Sequence, residues 1–155
     1  MMNRRDLLKG LGAAGLTAYL APTALAKERV PFEGFIPLNV DNFDEEVLES
    51  EGVTVVVWYS NCGSDRVDKL VNNLDKAWQE IKSNYEGDVK FTAFQTCGEV
   101  YKSTVEEWQD KYGPGSTSLA THFYVDGIPK KVVKGSDEID TLTENFSTKL
   151  DDLLE

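Results

Sequence analysis

"VTVVVWYSNCGSD", Val53–Asp65, joins seven consecutive β-branched or aromatic residues to a polar turn that holds a cysteine. A continuous run of that length lacks the two-residue period of a half-exposed strand. It is the pattern of a strand covered on both faces, as in the middle of a parallel or mixed sheet. From Asp65 to Tyr85 the apolar residues fall at Val67, Leu70, Val71, Leu74, Ala77, Trp78, Ile81 and Tyr85. Those spacings of three and four predict an amphipathic helix. Gly87 ends it, and "DVKFTAF" (88–94) alternates as a strand does. Residues 53–94 therefore read as strand, helix, strand, with 53–59 and 88–94 paired in parallel.

Working outward, "PLNVDNFDEEVLES" (37–50) predicts a short strand and then a helix capped by Asp41 or Asn42, with Gly52 just past its end. Downstream, Tyr101, Val105, Trp108 and Tyr112 mark another helix, stopped by "GPG" at 113–115. "LATHFYV" and "IPKKVVK" flank Asp126-Gly127, a two-residue hairpin signal. Ile139, Leu142, Phe146, Leu150 and Leu153 end the chain with a helix that packs on the sheet. Trp78, Trp108, Phe123 and Phe146 sit at core spacing. The fold class is α/β, a central mixed β-sheet flanked by helices, with no internal repeat.

The first residues stand apart. Arg4 and Arg5, the mildly apolar stretch Leu7–Leu25 and the small-x-small pattern Ala24-Leu25-Ala26 have the grammar of an export signal, 1–26. Arg4-Arg5 followed by Asp6-Leu7-Leu8-Lys9 resembles the twin-arginine type, and Leu8 stands where phenylalanine is commoner. Lys9 and the shortness of the run disfavour a permanent anchor, so no stable membrane span is expected after cleavage. The expected location is periplasmic or otherwise extracytoplasmic. Residues 27–37, with Pro31, Gly34 and Pro37, read as a lead-in, and 38–155 as one domain. The net charge is −11. That surface repels nucleic acid and anionic lipid, and suits either solubility or docking to a basic partner. Cys62 and Cys97 are the only cysteines, and an even pair in an exported domain suggests pairing before it suggests free thiols.

This order of elements, with "NFDEEVL", "VVVWYSNCG", the Asp126-Gly127 turn and Gly135, resembles thioredoxin over roughly residues 38–154. The resemblance implies a thioredoxin-like fold in which Cys62, at a helix N-terminus, is the attacking thiol. Trp58, Asn61, Gly63, Ser64, Asp65, Ser118 and Leu119 then line its site. A helix N-terminus favours the thiolate. Several positions depart from the family pattern. Asp65 replaces the second cysteine, Ser64 the usual proline, Asn61 the usual tryptophan and Val56 the buried acid, and no proline stands near Leu119. A carboxylate at Asp65 opposes the thiolate, or else serves only the first turn of its helix. In the implied fold the loops carrying Cys62 and Cys97 share one sheet edge. Cys97 is then either the structural disulfide partner of Cys62 or the catalytic thiol that resolves a mixed disulfide formed there.

His122 is the single histidine. Some thioredoxin-like copper chaperones use two cysteines and a histidine, but with both cysteines in one short motif, which this chain lacks. No metal and no cofactor are expected, and His122 reads as a partly buried strand residue bonded to a neighbour. Two functions stay open. One is an exported thiol/disulfide oxidoreductase acting on a protein disulfide substrate through Cys62 and Cys97. The other is an inactive binding or assembly module for another exported protein, stapled by a structural Cys62–Cys97 disulfide.

Overall fold

The computed structural model describes residues 31–60, 63–117, 119–134 and 138–155. The expected export signal and the readings placed on Asn61, Cys62, Ser118 and Gly135 lie outside the described residues. Five strands, β1 (Ile36–Leu38), β2 (Val53–Tyr59), β3 (Val89–Gln95), β4 (Ala120–Val125) and β5 (Ile128–Lys134), form one mixed sheet in the order β1-β3-β2-β4-β5. β2 runs parallel to β3 from Val53↔Val89 to Tyr59↔Gln95 and antiparallel to β4 from Val53↔Val125 to Trp58↔Ala120. The parallel pairing expected of 53–59 with 88–94 is present.

Every residue of β2 is buried, and Val55, Val56, Val57 and Trp58 expose no surface. The continuous apolar run has this cause: the strand has a core on each side. On one face Val53, Val55, Val57 and Tyr59 join Phe91 and Phe123 beneath two helices, α1 (Asp65–Ile81) and α3 (Ile139–Leu154). α1 presents Val71, Leu74, Ala77, Trp78 and Ile81 to that core, as the three-and-four spacing requires. On the other face Val56, Trp58, Phe94 and Tyr124 pack against Phe43 and Val47, and against Trp108 and Tyr112 of α2 (Val105–Tyr112). Two apolar layers on one sheet are what allow a chain of this size to bury all three tryptophans and all seven phenylalanines.

Two local expectations change. The segment after β1 forms a short π-helical turn, Asp44–Leu48, and neither Asp41 nor Asn42 caps it with a side chain. Asn39 does the turning: its Oδ1 accepts the N–H groups of Asp41 and Asn42, while Asn42 Oδ1 accepts Asn39 N–H at 2.7 Å. A side chain that satisfies backbone donors in this way competes with a regular helix start. The lead-in also does more than lead. Phe32 and Phe35 are buried in the first core, and Phe32 N–H donates to the Asp75 carboxylate of α1 at 3.0 Å. Lacking any period, those phenylalanines gave no pattern to read.

The Asp126-Gly127 turn has positive φ at both residues, 51° and 78°, the geometry of a tight hairpin whose twist matches its strands. Its tip is held on the loop before β2, where Asp126 N–H donates to Gly52 O and Gly52 N–H to Asp126 Oδ1, at 2.9 and 2.8 Å.

Candidate functional site

Parallel strands in register end together, and β2 and β3 end at Tyr59 and Gln95. The next residue, Thr96, is fixed to β2 twice over: its N–H donates to Tyr59 O at 2.8 Å and its hydroxyl donates to the same oxygen at 3.2 Å. Thr96 is buried, so both bonds are shielded from water. Cys97 follows directly, half-buried, and is disulfide-bonded. Cys62, the other cysteine of the sequence, lies outside the described residues. Gly63, Ser64 and Asp65 after it are exposed at the start of α1. Ser64 begins the helix with its backbone extended and with no side-chain cap, and its carbonyl accepts Asp68 N–H at 3.0 Å. Asp65 and Asp68 occupy the first turn, where a carboxylate is favoured by the helix dipole. A Cβ at Gly63 would approach Val67 Cβ to 3.0 Å, so the turn into the helix is tight there.

β4 is antiparallel to β2, so the 113–119 segment before it reaches the same sheet edge. Leu119 is half-buried against the first core. Trp58 lies deeper than a lining residue: it has no exposed surface and stacks on Phe94 at 4.9 Å, against Trp108 and Tyr112. Its Nε1–H is buried with no hydrogen-bond partner among the described residues. Val56 is buried in the second core with Trp58, Phe94 and Tyr124, and its strand partners are Thr92 on β3 and His122 on β4. The buried acid among the described residues is Asp75 on α1, which accepts Phe32 N–H and the Gln79 amide. Burial first, and then the Asp75 charge, raise the Tyr59 phenol above its ordinary value.

His122 is buried, and its Nε2 lies 2.8 Å from Pro114 O. A carbonyl only accepts, so Nε2 carries a proton in that bond. Burial lowers the pKa of His122 from 6.5, opposed in part by the Pro114 bond. An unfolded chain therefore takes up this proton before the folded one does. The resulting stability is complete above about pH 6.5 and is lost as pH falls below it. In urea titrations, His122→Gln should remove one component of the acid destabilisation expected below about pH 6.5. An unchanged pH slope would show that His122 titrates alike in both states. Among the described residues no group of three or more His, Cys, Asp and Glu side chains is placed to hold a metal ion.

Beyond Cys97 a groove of about 370 Å³ opens between the 100–102 turn, Val40 and α2. Trp108, Tyr112 and Val40 supply apolar walls, and Glu99, Lys102, Ser103, Glu107 and Lys111 the polar ones. Lys102 pairs with Glu99 at 3.0 Å, while Glu107 closes a capping box with Thr104. Trp108 and Tyr112, whose spacing marks a helix, each also turn an edge to this groove. The sequence marks Thr96 and Ser116 only by their places, directly after a strand and directly after Gly113-Pro114-Gly115. No protein-family model matches the chain, and a search of curated proteins finds no match. No helix among the described residues is long and apolar enough to cross a membrane.

Proposed function

We propose that this chain is an exported, thioredoxin-like thiol/disulfide exchange protein whose redox pair is Cys62 and Cys97. One observation carries the reading: the bonded Cys97 stands one residue beyond Thr96, which is locked to the end of β2, the strand that leads into the Cys62 turn. In the reduced protein the Cys62 thiolate attacks one sulfur of a partner's disulfide and expels the other as a thiolate. Cys97 then attacks the Cys62 sulfur and releases the second partner thiolate. The partner gains two electrons and the Cys62–Cys97 disulfide forms, to be reset by a dithiol donor.

The groove beside Glu99 favours a second reading, in which the disulfide is a staple and the Trp108–Tyr112 surface holds another exported protein. Equilibration against glutathione buffers separates the two. An exchange protein should have a potential within about −120 to −270 mV, whereas a structural bond lies below about −300 mV. Reduction of insulin by the wild-type protein, lost in Cys62→Ser, supports exchange. Its absence in the wild type, with a potential below about −300 mV, sinks it. In either case Cys97→Ser should lower stability by about 3–4 kcal/mol if the bond closes the 62–97 loop. Urea unfolding with and without reductant measures that cost.

A further inference from the structure

The segment between α2 and β4 is built around one imidazole. His122 Nε2–H donates to Pro114 O at 2.8 Å, and the glycines on either side of that proline close over the ring. A Cβ at Gly113 would lie 3.4 Å from His122 Cε1, and one at Gly115 3.6 Å from Nε2. Both glycines have positive φ, 94° and 86°, so the wrap favours residues without side chains for reasons of backbone, while an added Cβ at either would sit in ordinary contact. α2 makes the remaining ties. Trp108 Nε1–H donates to Ser116 O at 3.1 Å and the Gln109 amide to Thr117 Oγ1 at 3.2 Å. Within the turn, the Ser116 hydroxyl donates to Gly113 O at 2.7 Å.

We infer that His122 is a positioning residue that latches the 113–117 segment to the sheet edge carrying Cys97, and that proton uptake by its ring opens the latch. The inference rests on the exchange reading only for its consequence, access to the disulfide. The groups facing the ring explain the direction. From β2 comes the Trp58 indole, centred 5.6 Å away, and on β4 the Tyr124 phenol at 6.4 Å. Burial pushes Tyr124 up to about 12, so that phenol stays neutral throughout the range. Val132 and Val56 are the paired residues on β5 and β2. Lys131 pairs with Asp152 of α3 on the opposite face of the sheet, and the carboxylates of α2, Glu106, Glu107 and Asp110, are exposed, so none of them is buried against the ring as a counter-charge. No ion pair among the described residues includes His122. A second ring proton would therefore put an unmatched charge into an aromatic layer. Lifting the glycine-flanked turn, which admits water to the ring, relieves that charge at the cost of the Trp108 bond to Ser116 and leaves the first core in place.

Amide exchange by NMR on the full, oxidised chain tests this, read at the Ser116 N–H and the Trp108 indole N–H. Below about pH 6.5 wild-type protection at both should fall, by up to about tenfold per pH unit for one proton, while Val55 and Phe91 keep theirs. In His122→Gln, which keeps a donor for Pro114 but does not titrate there, protection should be flat with pH. Flat protection in the wild type, or a parallel fall in the glutamine variant, overturns the inference. Should that variant fail to fold, the wild-type profile decides alone. Exchange with a model disulfide, followed over the same pH range, keeps the two proposals apart. A pH-dependent loop without turnover defeats the redox reading and leaves the latch standing, while turnover with a pH-insensitive loop does the reverse.

Discussion

Trp78→Ala is expected to destabilise the protein by about 3–5 kcal/mol, the range for deleting a large aromatic from a packed core. Trp78 exposes no surface, stacks on Phe146 at 4.1 Å with the rings 9° from parallel, and meets Phe35, Phe91 and Phe123 at its edges. The ring thus joins both helices of that face to β3, β4 and the segment before β1. Its Nε1–H also donates to Thr121 Oγ1 at 3.3 Å, so truncation strands a buried hydroxyl. With a total stability of order 5–15 kcal/mol, the variant should populate unfolded chains at 25 °C. Trp78→Phe retains a ring against Phe146 and should cost about 1–3 kcal/mol. Chemical denaturation monitored by far-UV circular dichroism measures both. Equal losses in the two variants would mean that stacking contributes little.

Gly127→Ala is expected to cost about 2–4 kcal/mol, from a left-handed backbone and two released hydrogen bonds. A Cβ at this position would overlap Leu48 O, well inside the normal contact distance. Backbone cannot rotate aside as a side chain does, so the hairpin tip must lift away from the 48–52 loop. Lifting it breaks both bonds between Asp126 and Gly52. Gly87 is the control. It too has positive φ, 92°, but nothing lies within 4 Å of its added Cβ. Gly87→Ala should therefore cost only the backbone strain, about 1–2 kcal/mol. If the two alanines cost the same in urea titrations, the docked tip adds nothing to stability.

What was legible in the sequence was whatever repeats. The Val53–Tyr59 run, the spacing from Val67 to Ile81 and the Asp126-Gly127 turn each follow from a local rule, and the strands, α1 and the hairpin stand where those rules put them. Non-local contacts were not legible. Phe32 and Phe35 enter the core because of where α1 lies, not because of a pattern in their own segment. Trp58 shows the same limit at the site. In a strand buried on both faces, alternation no longer says which side is wet, so a tryptophan near the cysteine turn reads as lining when it belongs to the second core. His122 was legible as a bonded strand histidine. Its acceptor was not, because the Pro114 contact depends on how the 113–117 turn folds back. Thr96 is a third case, since its two bonds to Tyr59 O exist only once β2 and β3 are side by side.

The strand order also sets a schedule for synthesis. Ile36 has no partner until Thr92 has been made, and β2, at the centre of the sheet, pairs only with strands that follow it. A ribosome-bound chain that stops short of Val89 therefore contains no completed strand pair, yet already displays Val53–Tyr59, seven residues without a charge or a proline. Uncharged segments of high β-propensity are the ones that associate between chains when left open. For the time it takes to make α1 and the turn after it, the residues that most define the finished sheet are the chain's greatest hazard. Shielding them falls to whatever receives the nascent chain, until β3 emerges to cover one edge and β4 the other.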